Sequence, residues 1–89
     1  MAGNPDTLMK FPCRFPIKAM GRAEENFDVL VVGIIRKHSP EIADSFIRTR
    51  YSRDGRYVSI TVTIDAKSRR QLDDIYRELT ANERVLIAL

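Results

Sequence analysis

Residue types that build catalytic and metal sites are scarce in this chain of 89 residues. It contains one cysteine, Cys13, one histidine, His38, and no tryptophan. A lone cysteine cannot form a disulfide within the chain. A metal site needs several clustered ligands, and the sequence supplies no obvious partners for either residue. We therefore expect no internal disulfide, no metal and no cofactor.

The same two residues are weak candidates for catalysis. His38 lies in the last turn of a predicted helix, where a basic side chain commonly caps the final carbonyls and interacts with the helix dipole. Cys13 has only that distant histidine as a potential base, which argues against nucleophilic catalysis. No catalytic residue is assigned, and the sequence predicts a binding protein rather than an enzyme.

Long hydrophobic runs and a strong charge imbalance are also absent. The longest apolar stretch, 29–35, is interrupted by Gly33 and is far shorter than the roughly 20 residues needed to cross a bilayer. Residues 1–9 hold no apolar signal core, which together with the single cysteine predicts a cytoplasmic protein without membrane association. The net charge of +3 is too small to identify a nucleic-acid or membrane-surface binder by itself.

Hydrophobic periodicity predicts four strands and two helices. Apolar residues alternate over 14–20, 45–53, 57–64 and 85–89, which predicts four strands. They recur at helical spacing over 24–38 and again between Ser68 and Asn82, which predicts two helices. At the second helix Ser68 and Gln71 fit a capping box, with Asp65 as an alternative cap one turn earlier. Residues 53–56 supply a tight turn between the second and third strands.

Domain organisation follows from the same pattern. Residues 1–10 lack periodicity and are predicted to form a flexible N-terminal segment, whereas 11–89 make a single domain. The order βαββαβ predicts an α+β ferredoxin-like sandwich, in which a four-stranded antiparallel sheet carries both helices on one face. The third strand has one apolar and one polar face, so the other side of the sheet is expected to stay uncovered.

Scattered residues along nearly the whole chain resemble one family. They are Phe11-Pro12, Phe15, Lys18, Met20-Gly21, His38, Pro40, Gly55, Tyr57, Ser59, Ile64, Ala66, Gln71, Tyr76 and Leu79. In these residues and their spacing, the chain resembles the YbeD-like family of small bacterial proteins. The resemblance implies an ACT-like fold, similar to regulatory domains that bind amino acids or other small effectors at subunit interfaces. For some members it also implies a link to lipoate metabolism.

The uncovered sheet face is the predicted binding surface. The candidate residues are Lys18, Arg48, Arg50, Tyr57 and Ser59, and strand parity can bring several of them onto this face. Such a basic platform could accept a carboxylate, a phosphate or the acidic patch of a protein through charge-assisted hydrogen bonds. An open face must also be polar simply to remain soluble, so the pattern alone does not separate a site from a solvated surface.

We therefore expect a small regulatory or adaptor protein that binds a protein partner or a small effector. A homodimer is predicted, because the unpaired edge of the last strand, with Val85, Ile87 and Leu89, has little charge protection. The alternative is nucleic-acid binding without sequence preference, through the open basic face and phosphate contacts of Arg48, Arg50, Arg53 and Arg56 in the hairpin. The third strand presents Tyr57 alone rather than the paired aromatics of RNA-recognition modules, which ranks nucleic acid second.

Overall fold

The structure, a computed structural model, describes residues 10–89. Its elements follow in the order β1 (Cys13–Arg22), α1 (Phe27–His38), β2 (Ile47–Tyr51), β3 (Tyr57–Ala66), α2 (Arg69–Ala81) and β4 (Ile87–Ala88). A short 3-10 turn, Asp44–Phe46, leads into β2. Apart from Lys10, the predicted flexible segment 1–10 lies outside the described residues.

The four strands form one antiparallel sheet in the order β2-β3-β1-β4. β1 and β3 make its centre and pair over their full length, from Cys13 opposite Ala66 to Arg22 opposite Tyr57. The shorter β2 and β4 lie at the two edges. With two helices crossing over this sheet, the predicted ferredoxin-like α+β fold is confirmed.

Both helices pack on the same face of the sheet and form the core with it. The side chains that meet there alternate along the strands and recur at helical spacing on α1 and α2, as the periodicity predicts. Those with essentially no exposed surface include Ile17, Ala19, Val31, Ile35, Ile60, Val62, Ile75 and Leu79. Each large apolar side chain buried in this way contributes about 1.5–3 kcal/mol relative to an exposed one.

The first helix begins later than its pattern predicts. The expected start was near Glu24, whereas α1 starts at Phe27. Asn26 has a φ of 64°, which is left-handed backbone that cannot belong to a right-handed helix. The N–H of Glu24 donates to the carbonyl of Arg22 at 2.7 Å, so the residues before Asn26 form a turn.

The second strand is shorter than the predicted 45–53 because both of its ends are turns. Residues 44–46 adopt the 3-10 turn. After Tyr51, the hydroxyl of Ser52 donates to Asp54 Oδ1 at 2.8 Å, and the N–H of Arg56 donates to the same carboxylate oxygen at 3.1 Å. These hydrogen bonds close the hairpin turn and, with the Arg56 N–H as the larger cause, hold the pKa of Asp54 below its usual range.

The second helix starts with the Ser68 cap. Its hydroxyl oxygen accepts a hydrogen bond from the Gln71 N–H at 3.1 Å, which resolves the choice between Ser68 and Asp65. The Gln71 side chain reaches back one residue further than in a standard capping box, and its Oε1 accepts from the N–H of Lys67 at 2.7 Å.

Gly21 lies where β1 passes under the start of α1 and the turn that follows α2. A Cβ atom on Gly21 would lie 2.4 Å from the Phe27 ring and 2.6 Å from the carbonyl oxygen of Arg84. Only glycine fits there, because any side chain would overlap both neighbours.

Candidate functional site

The side of the sheet that faces away from the helices is the candidate site, called the open face below. Because directly paired residues of an antiparallel sheet point to the same side, the register defines its members. They are Arg14, Pro16, Lys18, Met20 and Arg22 of β1, Arg48 and Arg50 of β2, Tyr57, Ser59, Thr61, Thr63 and Asp65 of β3, and Ile87 of β4.

Three cationic residues, Lys18, Arg48 and Arg50, form what we call the basic cluster. Lys18 and Arg48 both pair with Thr61, from its two sides. Neighbouring strands lie about 4.8 Å apart, which places the backbones of these two residues roughly 10 Å from each other. Arg50 follows Arg48 on the same side of β2 and pairs with Ser59.

One shallow groove contains most of the predicted site. It is lined by Pro16, Lys18, Arg48, Thr49, Arg50, Ser59, Thr61 and Leu89. The structure therefore brings together four of the five predicted residues, the basic cluster and Ser59. Among residues 10–89 the groove is formed by sheet side chains and Leu89 and is open to solvent.

Tyr57, the fifth predicted residue, lies on the open face but outside this groove. It pairs with Arg22 at the far end of β1 and lines a separate depression with Arg22 and Arg56. The side chain keeps 42% of its surface exposed. The alternation of side chains along β3 correctly predicted that Tyr57 lies on the open face. Its position at the end of the strand, opposite Arg22, separates it from the basic cluster.

The charges of the basic cluster are not compensated within residues 10–89, where none of its three members forms an ion pair with a carboxylate. Arg14, at one end of the same face, is different. Its guanidinium lies 3.7 Å from Asp65 and 4.8 Å from the centre of the Phe46 ring. The open face therefore has a satisfied arginine at one end and three exposed, available cations at its centre.

An apolar border along β4 was not predicted as part of this surface. Met20 pairs with Ile87, and the backbones of Lys18 and Leu89 exchange hydrogen bonds of 3.0 and 2.7 Å. Ile87 and Leu89 are 49% and 65% exposed. The expected strand 85–89 grouped them with Val85, but Val85 precedes β4 in a turn and is buried in the core. The alternation itself was the signal that Ile87 and Leu89 share a face.

His38 lies in the last turn of α1, as predicted, but its side chain bonds to the other helix rather than to the carbonyls of its own. Its Nε2 lies 3.0 Å from Glu78 Oε1 on α2, and Lys37 pairs with the same carboxylate. These hydrogen bonds, from Lys37 first and His38 second, hold the pKa of Glu78 below its usual range. The side-chain amide of Gln71 donates to the His38 carbonyl. His38 thus belongs to a tether between the helices.

The remaining chemistry-bearing residues do not converge. Cys13 is a half-buried free thiol at the start of β1, packed at the border of the core. Between residues 10 and 89 there is no group of three histidine, cysteine, aspartate or glutamate side chains arranged to hold a metal ion. Burial raises the pKa of Tyr76, on the helix side. Neither described helix has the length and hydropathy to cross a membrane.

Known proteins match this chain over nearly its whole length. The family model described as "Protein of unknown function (DUF493)" matches residues 6–89. A UPF0250 protein of Paraburkholderia phytofirmans is 43% identical over 100% of both chains, and one of Chromobacterium violaceum is 39% identical over the same extent. A UPF0250 protein of Neisseria meningitidis serogroup A is 40% identical over 97% of this chain and 94% of its own length.

Proposed function

This chain belongs to the DUF493 family, the YbeD-like proteins of bacteria, and we propose that it is a non-enzymatic adaptor or regulatory protein that binds an acidic partner protein through its open face. One observation carries the proposal. Lys18 of β1 lies across β3 from Arg48 and Arg50 of β2, on a sheet face that no helix covers, and the three side chains have no carboxylate partner among the described residues. Such a cluster attracts an acidic surface, steers its approach and fixes its orientation.

The shape of the surface favours a protein over a small effector. Sites for small molecules bury about 70–90% of the ligand surface in a concave pocket. Among the described residues the groove of the basic cluster is open to solvent, is lined in part by the exposed Leu89 and lies near the exposed Ile87. A cationic patch beside apolar side chains matches the mixed chemistry of a protein interface.

Nucleic acid is less well supported by the same surface. Single strands bind by stacking bases on aromatic side chains along a basic groove. Among residues 10–89 no aromatic side chain lines the groove of the basic cluster, and Tyr57 lies in another depression with Arg22. Phosphate contacts alone would support only weak, salt-sensitive binding.

Two further expectations belong to this proposal. We place the protein in the cytoplasm on account of its single free cysteine. The link to lipoate metabolism that the family resemblance implies would make the partner a protein of that pathway.

The test is a pull-down from bacterial cytosol with Arg50→Glu and a matched control. Arg70→Glu introduces the same charge change at an exposed position of α2, on the helix side. We expect the wild type and Arg70→Glu to retain one stoichiometric protein in the presence of nuclease, and Arg50→Glu to lose it. Equal retention by Arg50→Glu would rule out the open face. Recovery that nuclease abolishes would favour nucleic acid, and recovery of nothing would favour a small effector.

A further inference from the structure

The free edge of β2 adjoins the basic cluster. Since the sheet order is β2-β3-β1-β4, β2 has a neighbour on one side only within residues 10–89. The N–H of Ser52 donates to the carbonyl of Tyr57 at 2.8 Å. Backbone groups alternate in direction along an antiparallel strand, so Arg48 and Arg50 direct theirs toward β3. The N–H and C=O groups of Thr49 and Tyr51 therefore face outward and are available to another strand.

The two sides of this edge differ in chemistry. On the open face the side chains of β2 are Arg48 and Arg50, both exposed. On the helix side a groove runs between β2 and α1, lined by Asp28, Val29, Val32, Gly33, Arg36, Asp44 and Ile47. Val29 and Tyr51, which flank this side, are 63% and 64% exposed. The edge is thus cationic on the open face and largely apolar on the helix side.

We propose that an extended segment of a partner protein, with acidic residues alternating with apolar ones, adds to the sheet along β2. Successive side chains of a strand point to opposite faces. The acidic residues would meet Arg48 and Arg50, while the apolar ones would cover Val29, Ile47 and Tyr51. Strand addition of this kind takes affinity from main-chain hydrogen bonds and specificity from alternate side chains.

The charges also decide against a second copy of this chain at the same edge. Two β2 strands paired antiparallel about a two-fold axis at Thr49 would place Arg48 of one copy opposite Arg50 of the other. Like charges directly opposite each other destabilise a sheet. On the helix side, Asp28 has no ion-pair partner among the described residues and disfavours acidic residues in the groove. The arginines on the open face and Asp28 on the helix side therefore favour the same added strand, with acidic side chains on the open face and apolar ones on the helix side.

This inference rests on the proposed function and narrows it to a class of partner segment. The probe is a blocked synthetic peptide in which glutamate and valine alternate, compared with a peptide of the same composition whose glutamates precede its valines. A third peptide carries the alternating sequence with N-methyl groups on the backbone nitrogens that would face β2. The readouts are the dissociation constant and the backbone amide signals of Thr49 and Tyr51 in NMR spectra of the whole chain.

We expect the alternating peptide to bind and to shift the Thr49 and Tyr51 amide signals, and the other two peptides to bind at least about tenfold more weakly. On the protein side, Thr49→Pro removes one outward N–H without changing a charge, and an edge strand tolerates proline at such a position. It should weaken binding similarly. The N-methylated peptide keeps the test valid if Thr49→Pro does not fold.

Equal binding of the alternating and N-methylated peptides would overturn strand addition, while sensitivity of both to Arg50→Glu would leave the proposed function standing. Absence of binding by all three peptides at millimolar concentration would also overturn the inference. Dissociation of a dimer by Thr49→Pro would assign the β2 edge to a second copy and reject the acidic segment.

Discussion

The side-chain amide of Gln71, in the first turn of α2, donates a hydrogen bond of 2.7 Å to the carbonyl oxygen of His38, the last residue of α1. It satisfies one of the carbonyls left unpaired at the end of that helix. The same side chain accepts from the N–H of Lys67. One residue therefore closes the end of α1 and the beginning of α2.

Gln71→Ala should destabilise the domain by about 1–3 kcal/mol, because both hydrogen bonds are lost and the His38 carbonyl loses its partner. For a domain of this size each kcal/mol corresponds to a fall in Tm of about 4–8 °C. Thermal unfolding followed by circular dichroism measures the change. Arg70→Ala, at the exposed neighbouring position, is the control and should leave the Tm almost unchanged. Equal Tm values for the two variants would contradict this role of Gln71.

Glu78→Gln should lower the Tm at neutral pH and remove part of the acid sensitivity of the fold. The pKa of Glu78 is lower in the folded state than its ordinary value, because Lys37 first and His38 second donate hydrogen bonds to the carboxylate. The unfolded chain thus takes up this proton first as the pH falls, and the stabilisation present at neutral pH is lost as the pH drops through the lowered pKa. Solvent screening limits the effect to about 1 kcal/mol.

The check for Glu78 is a comparison of Tm values from pH 7 to pH 3. The gap between the wild type and Glu78→Gln should narrow at the acidic end. Glu41→Gln removes an exposed carboxylate that forms no ion pair with the described residues, and its Tm should follow the wild type throughout. A gap that stays constant with pH would show that Glu78 does not act through its charge.

Gly21→Ala should cost about 1–3 kcal/mol or more, because the new methyl group overlaps the Phe27 ring and a backbone carbonyl that cannot move aside easily. Gly33→Ala provides the opposite case. Gly33 is an exposed position inside α1 with nothing within 4 Å of the added carbon, so alanine should stabilise the helix by about 0.5–1 kcal/mol. Denaturant unfolding of both variants measures the change in the free energy of unfolding, which should fall for Gly21→Ala and rise for Gly33→Ala. A rise for both variants would contradict the packing at Gly21.

Lys18→Ala and Arg50→Ala should each change the free energy of unfolding by less than about 0.5 kcal/mol, since both side chains are exposed and unpaired within the described residues. Any ligand that stabilises the wild type through the open face should lose that effect in both variants. Thermal shift assays with and without ligand measure it. An unchanged shift in both variants would place the ligand elsewhere.

The predicted homodimer should form through β4, the edge with exposed apolar residues rather than arginines. Light scattering at micromolar concentration should give twice the chain mass for the wild type and one chain mass for Ile87→Lys, because a lysine there protects the edge. Val29→Lys, at an exposed position of α1, is the matched control and should remain dimeric. A monomeric wild type would remove the prediction.

The fold was predictable because periodicity is a local property that survives in the structure. Alternation in β3 and helical spacing in α1 come directly from the face that each element buries. The element boundaries were less predictable. The left-handed backbone of Asn26 and the turn around Asp54 depend on local hydrogen bonds, which hydrophobic pattern does not encode.

The sheet face that carries the candidate residues was predictable, but the residues that lie beside each of them across the strands were not. Parity correctly placed Arg48, Arg50 and Lys18 on one side of the sheet. The register between strands, which depends on the whole packed sheet, decides that Tyr57 lies opposite Arg22 and that Ile87 lies beside Met20. The side-chain partner of His38 was not predictable for the same reason, because Glu78 lies on the other helix.

The long central pairing of β1 with β3 also constrains how the chain folds. Its partners are far apart in the sequence, with all of α1 and β2 between them, so closing this pair loses more chain entropy than closing a hairpin. The β2–β3 hairpin, closed by the Ser52–Asp54 turn, needs no such closure and can form locally. We expect this hairpin to be the template on which β1 docks late, so that substitutions in β1 mainly accelerate unfolding whereas those in the hairpin slow folding.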